Sequence, residues 1–227
     1  RGIGKAVALK LLNKGHSISL GVRNKEDLIN TPLDPKLNDP GKFFVHTYDA
    51  KDRATSRNWV QSTVNTFKSI DTIIHCAGIF KRTNLIFNDK EIQDIEDLWK
   101  VNVLGPWILT KDAWKYLSMN NSGRIIVLVS MSGKRSNSSL ASYSMSKFAL
   151  MSLCQTMRNE GWSKGIRITA ICPGWVNTDM AKEIKHFPKE NMTQTNDIAN
   201  ICSSLLELPN SSVPFEIAIN CQLETAI

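Results

Sequence analysis

Arg124-Ile125-Ile126-Val127-Leu128-Val129, then a helical stretch from Ala141 to Trp162, then Ile166-Arg167-Ile168-Thr169-Ala170-Ile171-Cys172, is the passage that decides the fold. Two short apolar runs joined by a long helix read as strand, helix, strand, and strands joined this way pair in parallel through a right-handed crossover. The same alternation continues on both sides. Upstream, Ala6 to Asn13 reads as an amphipathic helix, Ser17 to Val22 and Phe43 to Tyr48 as strands, Arg53 to Phe67 as a helix and Ile70 to His75 as a buried strand. The Pro- and Asp-rich stretch Thr31 to Gly41 is expected to be surface loop, and Glu91 to Leu117 one or two long helices. Downstream, Asp197 to Leu206 is a helix and Glu216 to Ile219 a last short strand. The expected fold is α/β, a doubly wound parallel sheet in a single domain over residues 1–227, with ligands beyond the carboxyl ends of its strands.

Chemistry sits in the same passage. Tyr143 and Lys147 lie one helical turn apart on one face, and Ser130 follows the first apolar run, thirteen residues before Tyr143. A phenol titrates near pH ~10 and exchanges protons poorly at neutral pH unless a nearby cation stabilises its anion. An acid, a cation to tune it and a hydroxyl to hold a substrate oxygen fit proton transfer to or from a carbonyl or alcohol, the companion of hydride transfer. Tyr-x-x-x-Lys alone is also an ordinary helix pattern, a buried ring beside a solvated ammonium. Its surroundings separate the two readings. Arg1-Gly2-Ile3-Gly4 opens a helix, Cys76-Ala77-Gly78 closes a strand, Asn102 lies in a helix, and Pro173-Gly174 closes a later strand.

In that order, the motifs resemble the classical short-chain dehydrogenase/reductase family, from the first residue to about Ile219. The resemblance implies a Rossmann-type fold and a nicotinamide cofactor. The family carries a first strand and Thr-Gly-x-x-x-Gly-x-Gly where this chain starts at Arg1-Gly2-Ile3-Gly4. The expectation is that this strand and the first glycine precede Arg1, leaving the sheet of this chain without a central member. Gly2, Ile3 and Gly4 would bring backbone N–H groups and a helix dipole to a pyrophosphate. At the end of the second strand, Val22 stands where NAD-preferring relatives place an Asp, and Arg23 and Arg1 match positions that are basic in NADP-preferring members. The cofactor expected is therefore NADP(H). By the same resemblance Asp49, with Ala50 beside it, would bond the adenine.

His75-Cys76-Ala77-Gly78 corresponds to the family's Asn-Asn-Ala-Gly and departs from it at the first two positions. Cys76, Ala77 and Gly78 would let the cofactor pass closely, and His75 is expected to be packed rather than catalytic. Asn102 matches the position where a distorted helix offers its carbonyl to a water in a proton chain toward Lys147. Ser130 would bond the substrate carbonyl, Tyr143 would donate or accept the proton, and Lys147 would lower the phenol's pKa while bonding the nicotinamide ribose. Ser132 competes with Ser130 on sequence grounds; the offset from Tyr143 favours Ser130. Pro173, Gly174, Val176 and Thr178 match the family's Pro-Gly-x-x-x-Thr, which binds the nicotinamide amide. The polar stretch 179–195 reads as a substrate lid, and Trp175 as a pocket wall. The tail 215–227 lacks the Asp-Gly-Gly ending of fatty-acid-synthesis reductases, which points away from 3-oxoacyl substrates.

Composition narrows the remaining classes. A chain of 227 residues, 42% hydrophobic, can bury one core. Its formal charge of +7 is spread among acids instead of forming a block, so nucleic acid is not the expected partner. No run is long and apolar enough for a membrane span, and no leader-like segment opens the chain, so the expected location is cytoplasmic. Five scattered cysteines without Cys-x-x-Cys spacing argue for reduced thiols and no metal site. By resemblance a homodimer or homotetramer is expected, paired through Glu91 to Leu117 and Ala141 to Trp162. Two alternatives are a catalytically silent nucleotide-binding scaffold and a sugar-nucleotide epimerase. Retention of Asn102, Ser130, Tyr143 and Lys147 speaks against the first, and the lack of a larger carboxyl-terminal substrate region against the second.

Overall fold

The structure, a computed structural model, describes residues 1–223; positions 224–227 of the expected domain and tail lie outside it. Helices and strands alternate as α1 (Gly2–Asn13), β1 (Ile18–Val22), β2 (Phe43–Thr47), α2 (Arg53–Phe67), β3 (Thr72–His75), α3 (Ile92–Trp99), α4 (Gly105–Met119), β4 (Arg124–Leu128), α5 (Ala141–Gly161), β5 (Arg167–Pro173), α6 (Thr195–Glu207) and β6 (Glu216–Ile219). Every strand pairing is parallel. Among the described residues the strands form two sheets, β1-β2 and β3-β4-β5-β6, and not one continuous ladder.

Alternate residues along one strand serve opposite helical layers, because successive side chains of a strand point to opposite faces. Ile125 and Val127 of β4 join Ala170 and Cys172 of β5 in a core with Leu150, Cys154 and Met157 of α5. Their neighbours Ile126, Leu128 and Ile171 meet Val7 and Leu11 of α1 and Ile198 and Cys202 of α6 on the other side. Burying side chains of this size contributes about 1.5 to 3 kcal/mol each, enough to specify register. That register pairs His75 with Val127 and Leu128 with Ile171. Cys76, Val129 and Gly174 consequently leave the sheet along one edge.

Local signals explain most element ends. Asp52 caps α2 by accepting the Ala54 N–H, and Lys68 ends it in the left-handed region at φ 68°. Helix α6 starts earlier than the expected Asp197, at Thr195, because Gln194 and Asp197 form a reciprocal capping box. The segment from Glu91 to Leu117 departs furthest from regular helix. Its two α-helices flank a turn of π-helix, Lys100–Leu104, in which the Gly105 N–H reaches the Lys100 carbonyl. Proline at position 106 accounts for this, since it has no N–H for the Asn102 carbonyl four residues back.

Candidate active site

Beyond β4 the chain turns sharply. Val129 still bonds β5, its N–H 2.8 Å from the Ile171 carbonyl. Ser130 then adopts φ 151°, ψ 159°, a region otherwise left to glycine, and so stores backbone strain. Its hydroxyl accepts the Ser132 N–H at 3.1 Å, and Ser130 acts on the Tyr143 phenol in the sense that favours its ionised form. Gly133 makes this possible: a Cβ there would stand 2.8 Å from the Lys147 carbonyl, so only glycine lets the turn lie against α5. Ser132 supports Ser130 through its backbone.

Lys147 is 5% exposed and donates to the Leu128 carbonyl at 3.0 Å. Its ammonium lies 5.8 Å from the centre of the Tyr143 ring. Burial brings Lys147 from an ordinary 10.5 down to about 8, opposed by Cys154 and Cys172 nearby. Burial pushes the Tyr143 phenol above its ordinary value, and Ser130 opposes this in part. In the free protein the phenol is thus raised and not depressed, and the opposing influence comes from Ser130 and not, as expected, from Lys147. Desolvation holds Tyr143 in its neutral, proton-bearing form.

Asn102 is fully buried at 0% exposure in the π turn. Its amide clamps Ile79, accepting the N–H at 2.9 Å and donating to the carbonyl at 3.0 Å. It also donates to Ser146 Oγ at 3.1 Å, and Ser146 in turn donates to the Tyr143 carbonyl at 2.7 Å. Sequence reasoning missed Ser146 and Pro106. The proline four residues after Asn102 was the available signal, because it frees the Asn102 carbonyl from α-helical bonding.

The expected cofactor residues fall into two groups. Around the nicotinamide end, Ala77 is exposed, and a Cβ on Gly78 would stand 3.7 Å from Lys147 Nζ and 3.5 Å from Asn102 Oδ1. Pro173 ends β5, Gly174 donates to the Ile219 carbonyl at 2.8 Å, and Val176 pairs with Thr193. Gly2 and Thr178 line one cavity of about 390 Å³ at the start of α1. Helix α1 has no side-chain cap and no acid in its first turn, which leaves the N–H groups contributed by Ile3 and Gly4 to an anion. At the far end, Arg23 follows β1 and is exposed, as is Arg1. One oxygen of Asp49 accepts the Lys51 N–H at 2.9 Å, and Ala50 packs on Gly105.

His75 is packed, as expected. His75 bonds Thr110 Oγ1 at 2.9 Å, and burial lowers it to about 4, so it stays neutral. Burial raises the Cys76 thiol to about 12, away from the reactive thiolate. Trp175 packs edge-on against His186 and Phe187 at 5.2 Å, tying the 179–195 segment to the end of β5. No group of three or more His, Cys, Asp or Glu among the described residues is placed to hold a metal ion.

The family model for short chain dehydrogenases matches residues 1–189. The chain belongs to the short chain dehydrogenase family. This short chain dehydrogenase is 34% identical over 227 residues to the agropine synthesis reductase of Rhizobium rhizogenes, covering 99% of this chain and 51% of that protein. The chain thus spans about half the length of that curated relative. A 3-oxoacyl-(acyl-carrier-protein) reductase of Staphylococcus aureus is 28% identical over 217 residues, 90% of this chain and 86% of that one. Among solved structures, the alcohol dehydrogenase from Thermococcus sibiricus complexed with 5-hydroxy-NADP shares the fold at a TM-score of 0.85 and 24% identity, covering 96% of this chain and 92% of that one. A gluconate 5-dehydrogenase from Burkholderia cenocepacia, in complex with NADP and tartrate, shares it at 0.82 and 19%, covering 97% and 90%.

Proposed function

We propose that this short chain dehydrogenase is an NADP(H)-dependent oxidoreductase acting on a small carbonyl or alcohol, with Tyr143 as its general acid and base. The observation that carries the reading is buried Lys147, donating to the Leu128 carbonyl 5.8 Å from the centre of the Tyr143 ring, with Ser130 directly after β4 on the end of the sheet that also bears Gly78 and Gly174. The names of the relatives, all reductases or dehydrogenases, and the NADP in related structures support it.

The residues fit a dinucleotide. Gly2, Ile3 and Gly4 with the α1 amino terminus would hold its pyrophosphate, Arg1 and Arg23 its 2′-phosphate, and Asp49 and Ala50 its adenine. Cys76, Ala77, Gly78, Pro173, Gly174, Val176 and Thr178 would flank the nicotinamide, whose part in the reaction is to carry the hydride. In reduction, the neutral Tyr143 phenol gives its proton to the substrate oxygen, while the Ser130 hydroxyl holds that oxygen in place. Lys147 then stabilises the phenolate, and the Asn102 carbonyl, to which Pro106 has no N–H to give, anchors the path along which the proton is restored. In oxidation each step reverses. The segment 179–195 would close over the substrate, in a single catalytic domain working in the cytoplasm.

Cofactor preference gives the test at the adenine end. NADP(H) is expected to bind at least ~10-fold tighter than NAD(H), since charge-assisted hydrogen bonds to a phosphate contribute about 1.5 to 3 kcal/mol each. Arg23→Asp should reverse the order, because its carboxylate repels the phosphate and accepts from ribose hydroxyls. Titration showing equal affinities in the unaltered enzyme would remove the NADP assignment.

Assembly follows from the outer faces of α3, α4 and α5. Ile92, Trp99, Trp107, Met145 and Phe148 are all exposed there, beside a groove of about 300 Å³ between Trp99, Leu104 and Met145. Apolar surface of this kind is what oligomers cover. We expect light scattering at micromolar protein to give a dimer or tetramer; a mass near 25.5 kDa for this chain would contradict it.

A further inference from the structure

The loop after β3 forms a second wall beside the phenol. Thr83 is buried and locked to the start of α5: its N–H donates to Ser139, its carbonyl accepts from Ala141 at 3.1 Å, and its hydroxyl accepts the Ser142 N–H at 3.1 Å. The Thr83 and Ser142 hydroxyls also share a hydrogen bond of 2.6 Å. Three residues earlier, the Phe80 ring meets the Tyr143 ring edge-on, with centres 4.9 Å apart. Residues 80–83 are therefore held against the first turn of α5 at both ends, and Arg82 lies between the two anchors. Its guanidinium sits over the Phe80 ring, 5.5 Å from the centre, on the ring that touches the phenol.

The acid facing Arg82 is Glu183, at 3.6 Å across the cleft in the 179–195 segment. Both side chains are more than half exposed, at 53% and 76%, so the pair is weak and exchangeable. Neighbouring Lys81 is engaged with Asp94 at 3.0 Å and points its charge elsewhere. Arg82 thus presents a planar fork suited to a carboxylate, over the ring that packs against the Tyr143 ring.

We propose that Arg82 is a specificity-determining residue that binds a carboxylate on the substrate, and that the substrate class is an anionic carbonyl compound. This rests on the oxidoreductase reading above. The incoming carboxylate takes the guanidinium from Glu183, while the carbonyl at the other end of the molecule meets Ser130 and Tyr143. Phe80 supports the intervening chain.

The experiment follows NADPH oxidation with straight-chain oxo acids from pyruvate to 6-oxoheptanoate, each beside its methyl ester. At least one acid should exceed its ester by about 10-fold or more in kcat/KM, the scale of one charge-assisted contact. Arg82→Gln should erase that ratio mainly through KM, with NADPH affinity intact as evidence of folding, and Arg82→Lys should restore part of it. Glu183→Gln should lower the KM for the acid, since a competitor for the guanidinium is gone. Equal use of acids and esters by the unaltered enzyme, or an acid preference that survives Arg82→Gln, would overturn the role of Arg82 and leave the reductase standing. Failure to turn over either class would overturn both.

Discussion

Tyr143→Phe is expected to lower turnover by at least ~10²-fold and leave NADP(H) affinity nearly unchanged, given the 10²- to 10⁴-fold share typical of a positioned general acid. The ring is buried and packs on Phe80, and phenylalanine keeps that packing. What disappears is the hydroxyl on which Ser130 acts. Stopped-flow measurement of the chemical step separates this loss from product release. A variant retaining more than a few per cent of the rate would send the search for the proton donor elsewhere.

Lys147→Met should abolish activity and raise stability together. Burial holds the lysine at about 8 against an ordinary 10.5, so the folded protein binds its proton less readily than the unfolded chain does. At about 1.4 kcal/mol per pH unit, removing the buried charge should gain on the order of 3 kcal/mol at pH 7, and raise Tm by roughly 5 to 10 °C. The sign fixes the pH dependence. Below the folded value both states are charged and the penalty is full; between about 8 and 10.5 the folded lysine alone is neutral and the penalty fades. The advantage of Lys147→Met in urea unfolding should thus shrink from pH 8 upward. A variant less stable than the parent at pH 7 would show that the bond to the Leu128 carbonyl outweighs desolvation.

The order of elements was legible because it rests on short-range pattern. Apolar runs such as 124–129 and 166–172, and the helical stretch between them, carry their period locally, and the structure places elements where those patterns predict. Boundaries moved where a side chain acts on backbone a few residues away, as Gln194 and Asp197 do for α6. The π turn at Lys100–Leu104 was foreshadowed only as a distorted helix at Asn102, although Pro106 supplies its cause.

By itself the sequence determined the α/β class, the family's ordered motifs and the list of residues proposed to carry the chemistry, since each depends on residue type and spacing along the chain. Only the tertiary structure showed the turn that carries Ser130, with a strained φ of 151° and the close approach of Gly133 to α5. Only it divided the described strands into two sheets, and only it set the direction of the Tyr143 and Lys147 shifts, because desolvation depends on what surrounds a group. Arg82 is the clearest case. In the sequence it is one of many dispersed basic residues; in the fold, Thr83 and Phe80 bind its loop to the helix of Tyr143, and contacts between segments some sixty residues apart leave no periodic trace in the chain.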